Sequence, residues 1–210
     1  MIVVVEGISA AGKTTFASRY APAVVDELKA CLPRTDNIAA LGQYWSDLHS
    51  KRWLHGLEME RTHDVVYFDT DPLKVHYAWC LWQIGENRRD EWIATVQATR
   101  EHIKRRQLGF ADRIVFIEPS DEQVRQQKAN DYTRRRRNFD SHLRLREPLR
   151  RWYELLETLA PGRVVFNAHQ RPQSMPDRLR VNRYDLQLFD ELIDAADGLN
   201  TTGMALASHL

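Results

Sequence analysis

The chain is poor in cysteine: Cys31 and Cys80 are the only two in 210 residues. They form no disulfide framework and no metal-ligand spacing, so inert thiols in a reducing compartment are expected. Long apolar runs are missing as well. The most apolar opening stretch, Ile2 to Val5, is far too short for a membrane span or a signal peptide, and the expectation is a soluble, cytoplasmic protein whose N-terminus is mature structure. Excess charge is the third absence. Thirty basic side chains against 29 acidic ones leave a formal net charge of +1, which removes any global field for nucleic acid or an anionic membrane and confines a polyanion site to a local cluster. Nothing marks a second domain. The chain is long enough for one α/β core, expected over 1–197, with 198–210 as a flexible C-terminal tail.

What is present is concentrated at the start. Ile2-Val3-Val4-Val5 reads as a strand buried on both faces, and Gly7-Ile8-Ser9-Ala10-Ala11-Gly12-Lys13-Thr14 follows it directly, matching G-x-x-x-x-G-K-[ST]. Such a loop turns its successive backbone N–H groups inward at a helix N-terminus, a nest for phosphate oxygens. Gly7, Ser9, Ala10, Ala11, Gly12, Lys13, Thr14 and Thr15 are the expected nucleotide-binding residues. Lys13 adds a mobile cation and the Thr14 hydroxyl a ligand for Mg²⁺.

Further along, acids close the strands. Ala23-Val24-Val25 is a short strand ending on Asp26-Glu27, where a catalytic base and a solvated turn are both compatible with the pattern. Residues 28–36 read as a loop that covers the site. From Ile38 to Thr62 a helical stripe of Leu41, Trp45, Leu48, Trp53, Leu54, Leu57 and Met59 is expected in the core; Tyr44, Trp45 or Trp53 could stack on an aromatic acceptor if exposed. Asp64 to Pro72 is a core strand running into Asp69 and Asp71. An acid at the end of a strand often holds Mg²⁺ in P-loop enzymes; Asp69 is assigned that role, and Asp71, before Pro72, shares metal and helix-capping duties.

The helix expected over Leu73 to Ile84 places His76, Trp79 and Gln83 near one face with Tyr77 beside them, so His76, Tyr77 and Gln83 join Tyr44 and Trp45 as acceptor-binding candidates. A helix over about 91–107, a strand at Arg113 to Ile117 and a charged helix at Asp121 to Asn130 follow. Arg134-Arg135-Arg136-Arg137 then lies between helices in a nucleotide-binding fold, where guanidinium groups neutralise the transferring phosphoryl group. Arg134 and Arg137 are placed among the catalytic residues with Lys13, Asp26, Glu27 and Asp69, and Arg135 and Arg136 among the nucleotide-binding ones. A helix over 139–159, a strand over 163–168, a polar, proline-interrupted stretch over 169–180 and an amphipathic helix over 184–196 complete the pattern.

This order of elements resembles the nucleoside and nucleotide monophosphate kinase group of P-loop proteins. Val5 to Phe16 is similar to the P-loop of deoxynucleoside kinases and, less closely, of thymidylate kinases; Asp112 to Asn167 looks like the strand, lid, long helix and final strand of the latter. The resemblance implies a three-layer α/β fold with a mostly parallel five-stranded sheet, ATP and Mg²⁺ as cofactors, and a small-molecule acceptor. It implies that Asp26 or Glu27 deprotonates the acceptor hydroxyl, and that a lid over about 131–138 carries Arg134 to Arg137. Kinases of this group are often dimers, and exposed apolar residues on the long helices would allow a homodimer. The chain departs from the pattern after its third strand, where Asp69-Thr70-Asp71-Pro72 stands in place of an acid followed by arginine. A non-nucleotide metabolite or an antibiotic hydroxyl is therefore the alternative acceptor; a nucleotide-hydrolysing switch or assembly protein, or an RNA-binding P-loop protein, is the alternative of another class.

Overall fold

The computed structural model describes residues 1–20, 23–28, 33, 35–130, 143–166 and 182–207. The arginine run 134–137, Pro22, Cys31 and the stretch 169–180 lie outside them. Five β-branched or apolar runs become the strands: β1 (Ile2–Glu6), β2 (Val24–Val25), β3 (Val66–Asp69), β4 (Arg113–Phe116) and β5 (Val164–Phe166). They form one parallel sheet in the order β2-β3-β1-β4-β5. Parallel neighbours need long crossovers, which the helices supply: α1 (Lys13–Tyr20), α2 (Ile38–Glu60), α3 (Val75–Gln83), α4 (Arg89–Lys104), α5 (Asp121–Asn130), α6 (Arg146–Leu159) and α7 (Leu186–Ala207). This is the three-layer α/β arrangement expected from the sequence.

β1 is the centre, with Ile2 to Val5 at 0 % exposure. It pairs with β3 on one side and β4 on the other, so the chain's winding reverses there. Ligands in open α/β sheets bind beyond the carboxyl ends of the strands at such a switch point. The P-loop leaves β1 at that end.

Three helices differ from the sequence expectation. The fully buried residues of α2 are Gly42, Ser46, His49, Ser50, Arg52, Trp53 and Gly56; of the expected stripe Trp53 is in the core, Leu57 and Met59 pack against it half-buried, and Leu54 is exposed. Close packing on α4 selects small and polar side chains: a Cβ on Gly42 would lie 2.8 Å from the carbonyl carbon and oxygen of Ala94, and Ser46 and Thr99 hydroxyls meet across the same interface at 3.3 Å. Helix α3 begins at Val75, with Lys74 at its N-cap position, rather than just after Asp71-Pro72. Asp71 caps the preceding turn instead, accepting the Leu73 N–H at 2.8 Å. Finally, α7 runs to Ala207, past Gly198.

The end of the sheet opposite the P-loop is tied by charge. Arg183 donates to both carboxylate oxygens of Glu60 (2.6 and 2.7 Å) and of Asp112 (2.5 and 2.7 Å). Glu60 also meets the Met1 ammonium at 2.6 Å, and Asp112 accepts the Ile2 N–H at 2.7 Å. One guanidinium thereby joins α2, the start of β1 and β4 to the segment leading into α7.

Candidate active site

The loop from Gly7 to Gly12 closes over the end of β1. Gly7 has φ +151°, and a Cβ there would lie 2.3 Å from the Ile117 carbonyl oxygen, so only glycine fits. Lys13, the first residue of α1, folds back over the loop: its Nζ donates to the Gly7 and Ile8 carbonyls at 2.8 and 3.0 Å. Burial pushes the lysine's pKa down, and the nearby Glu6, Glu27 and Asp69 carboxylates offset part of that shift. Ala10 and Ala11 are buried within the loop, while Thr14 and Thr15 at the start of α1 are exposed.

The Thr14 hydroxyl donates to Asp69 Oδ2 at 2.5 Å. Asp69 is 2 % exposed, and its Oδ1 has no hydrogen-bond partner among the described residues. A hydroxyl beside a carboxylate with an unused, buried lone pair is a donor set that suits a hard divalent cation, which otherwise takes its oxygens from phosphate and water. Among the described residues no group of three or more His, Cys, Asp or Glu forms an all-protein metal cage. Asp71 points elsewhere: Oδ1 is taken by Leu73 N–H and Oδ2 by the Tyr153 hydroxyl at 3.2 Å. Burial raises its pKa.

At the end of β2, Asp26 and Glu27 are both exposed, and they play different parts. Asp26 gives its backbone carbonyl to Arg52. The Glu27 carboxylate acts electrostatically on Lys13, Arg52 and Tyr77.

The acceptor candidates are separated by the structure. Tyr44 and Trp45 are half-buried and meet edge to face at 5.2 Å. Tyr77 is half-buried, its phenol pushed up by burial and by Glu27, with the Lys74 ammonium 5.3 Å from its ring centre. Gln83 keeps a buried Nε2 with no partner among the described residues. His76 is set apart at 1 % exposure: its Nδ1 lies 3.0 Å from the Leu73 carbonyl and its Nε2 3.5 Å from Glu6, between the rings of Trp152 and Tyr153.

Several site residues escaped the sequence reading. Glu6 accepts N–H groups from Gly7 (3.0 Å) and Asp71 (2.9 Å), joining the P-loop to the β3–α3 turn. Burial would raise its pKa, but Lys74, a hydrogen bond from His76 and the charge of Lys13 hold the carboxyl well below the usual carboxylate range. From α2, His49 and Arg52 point to the same place, with Trp45 at i, His49 at i+4 and Arg52 at i+7 on one helical face. Burial and the charges of Lys74, Arg52 and His76 hold His49 well below its ordinary pKa, and its Nδ1 has no hydrogen-bond partner among the described residues. Charged residues on what should be a buried helical stripe were the available signal.

Strand order, the reversal at β1 and the Lys13 loop at its carboxyl end decide the architecture. The chain has the P-loop kinase fold. It superposes on the structure of deoxyadenosine kinase from M. mycoides with the products dCMP and a flexible dCDP bound, at TM-score 0.54 and 12 % identity, covering 96 % of this chain and 100 % of that one. The same enzyme with bound dCTP gives TM-score 0.55 and 10 % identity over 96 % of this chain and 100 % of that one. No protein-family profile matches the sequence, and no curated protein matches it. No helix among the described residues is long and apolar enough to cross a membrane.

Proposed function

We propose that the protein is an ATP-dependent phosphotransferase that moves the γ-phosphoryl group to a hydroxyl or phosphate of a nucleoside or nucleotide. The observation that carries this reading is the convergence at one sheet end of the P-loop lysine, the Thr14–Asp69 pair and the Glu27 carboxylate. The like fold of a deoxyadenosine kinase over its whole length supports it.

Each residue has a role that follows from its position. The P-loop N–H groups cradle the phosphates, and Lys13 exchanges its two loop carbonyls for phosphate oxygens. Thr14 and Asp69 would hold Mg²⁺, which when bound neutralises charge on the phosphates and helps align them. Glu27, exposed just past the end of β2, would take the proton of the acceptor hydroxyl. Tyr44 and Trp45 would offer an acceptor ring faces, and Tyr77 its phenol. The arginine run 134–137, outside the described residues, is assigned the neutralisation of the transferring group from its chemistry alone. Positioning and charge neutralisation do most of the catalysis.

A second acceptor class is favoured by one feature: Thr70-Asp71-Pro72 follows β3 with its acid turned into the protein, toward Tyr153. No arginine stands at 70–72, directly after β3, to meet an acceptor phosphate, which suits a neutral hydroxyl on another metabolite. ATP consumption with Mg²⁺, alone and against nucleosides, nucleoside monophosphates and hydroxylated metabolites, tests both. Stimulation by a nucleoside or nucleotide is expected; stimulation by a non-nucleotide alone selects the second reading, and acceptor-independent hydrolysis removes both.

A further inference from the structure

We infer that Arg52 is a positioning residue that sets the spacing between the two acids of the transfer site; the inference rests on the phosphotransferase reading above. β2 is an edge strand of two residues, and its ladder with β3 stops at the pair Val25 and Phe68. Asp26 and Asp69 are the next residues in the β2–β3 register, beyond the last pair of that ladder. Glu27 lies on backbone beyond the ladder, and Asp69, paired with Val5 of β1 on one side, has no strand partner on the other.

The Arg52 guanidinium fills that step. Its Nε donates to the Asp26 carbonyl at 2.8 Å, and its Nη2 reaches the carbonyls of Asp69 (2.5 Å), Thr70 (3.1 Å) and Val25 (3.4 Å). A single fork from α2 therefore binds four carbonyls on two strand ends. The side chain is 5 % exposed and lies over the Phe68 ring at 5.4 Å. Its charge is buried among Glu27, Asp71, Asp69 and Glu6, so the cation is retained for a geometry and not for solubility.

Arginine suits this task and lysine does not. The guanidinium is planar and presents its donors in fixed directions, whereas an ammonium on a flexible stem is a point charge. One bond also secures a conformation that rarely occurs in this residue type: Thr70 has φ +71°, in the left-handed region. Its N–H is held by the Val5 carbonyl at 3.0 Å and its carbonyl by Arg52, and its hydroxyl has no hydrogen-bond partner among the described residues. This turn carries Asp71 away from Asp69 and leaves Asp69 alone beside Thr14.

For phosphoryl transfer the separation between the proton acceptor and the metal-holding acid must match the reacting groups, and a misplacement of about 1 Å costs on the order of 100-fold. Arg52 touches neither nucleotide nor acceptor in this account. It acts through Asp26, which precedes Glu27, and through Asp69.

The test compares wild type with R52K and R52Q in the full chain. Calorimetry with a non-hydrolysable ATP analogue, with and without Mg²⁺, separates nucleotide binding from the gain that Mg²⁺ adds. Expected for at least one folded variant is Mg²⁺-free affinity within about twofold of wild type, and a gain from Mg²⁺ reduced by about tenfold or more, as when a metal ligand loses its support. With a phosphorylated acceptor in hand, kcat should fall by about tenfold or more while KM for ATP stays within about threefold. Wild-type Mg²⁺ linkage and kcat in both variants would overturn the inference. So would a loss of Mg²⁺-free affinity as large as the loss with Mg²⁺, or failure of both variants to fold, which would make Arg52 a purely structural residue. The binding arm needs no acceptor, so a wild-type protein that phosphorylates nothing would remove the phosphotransferase reading without being mistaken for a result on Arg52.

Discussion

Thr14, on the first turn of α1, and Asp69, the last residue of β3, are joined by a 2.5 Å hydrogen bond from hydroxyl to carboxylate. The bond spans 55 residues of sequence and brings the P-loop to the acid-ended strand beside it. Asp69→Asn keeps an acceptor for Thr14 and removes the charge. The half-saturating Mg²⁺ concentration for nucleotide binding is expected to rise about 10- to 100-fold, with Mg²⁺-free affinity little changed. Titration of Mg²⁺ at fixed nucleotide checks this, and an unaltered curve would take Asp69 out of the metal site.

Lys13 donates to two carbonyls of its own loop, at 2.8 and 3.0 Å, and its removal takes a neighbouring charge from the buried Glu6 and Asp69 without breaking a direct ion pair to either. Lys13→Ala is expected to keep the fold, with a melting temperature within about 4 °C of wild type, and to lose transfer by at least about 100-fold. A folded variant with wild-type turnover would separate the P-loop lysine from catalysis.

Much of this site could be read before the structure. A phosphate cradle is made of consecutive residues, so Gly7 to Thr14 announces itself in one line of sequence, and the β-branched runs at Ile2 to Val5 and Arg113 to Ile117 mark buried parallel strands for the same local reason. Arg52, Glu6 and His49 were not legible because their roles depend on partners brought together by the sheet. Arg52 meets carbonyls 17 to 27 positions away, and Glu6 meets Asp71 across 65 residues. Apolar periodicity caught Trp53, Leu57 and Met59 of α2 but missed Gly42 and Ser46, because contact with α4 demands small residues that carry no apolar signal. His76 shares the expected face of α3, but that face is turned toward Trp152 and Tyr153 of α6 and not to an opening.

The tie at the other end of the sheet makes stability depend on pH. The Arg183 hydrogen bond, against the opposing effect of burial and with help from the Met1 ammonium, lowers the Glu60 pKa from 4.5 to about 2. Its folded value lies below its unfolded value, so Glu60 stabilises the fold above pH 4.5 and loses that contribution as the pH falls through 2. Allowing for partial exposure, the contribution is about 1–2 kcal/mol. Glu60→Gln should lower stability at pH 7 and flatten its acid dependence, measured by urea unfolding across the range. Parallel curves for wild type and variant would contradict the assignment.

Gly42 tests the α2–α4 contact. A methyl group there meets backbone of Ala94 at 2.8 Å, which cannot swing aside as a flexible side chain would. Gly42→Ala gains helix propensity but forces the helices apart, and a net destabilisation of about 1–3 kcal/mol is expected by denaturant unfolding. A stabilised variant would show that the two helices can separate without loss.

The most direct measurement is transfer of label from ATP carrying a radioactive γ-phosphate, with Mg²⁺ and a panel of nucleosides, nucleoside monophosphates and hydroxylated metabolites, followed by separation of the products. Label is expected on one class of acceptor, nucleosides or nucleotides first, and none with Lys13→Ala. Label released only as inorganic phosphate, at a rate no acceptor changes, would contradict the phosphotransferase reading.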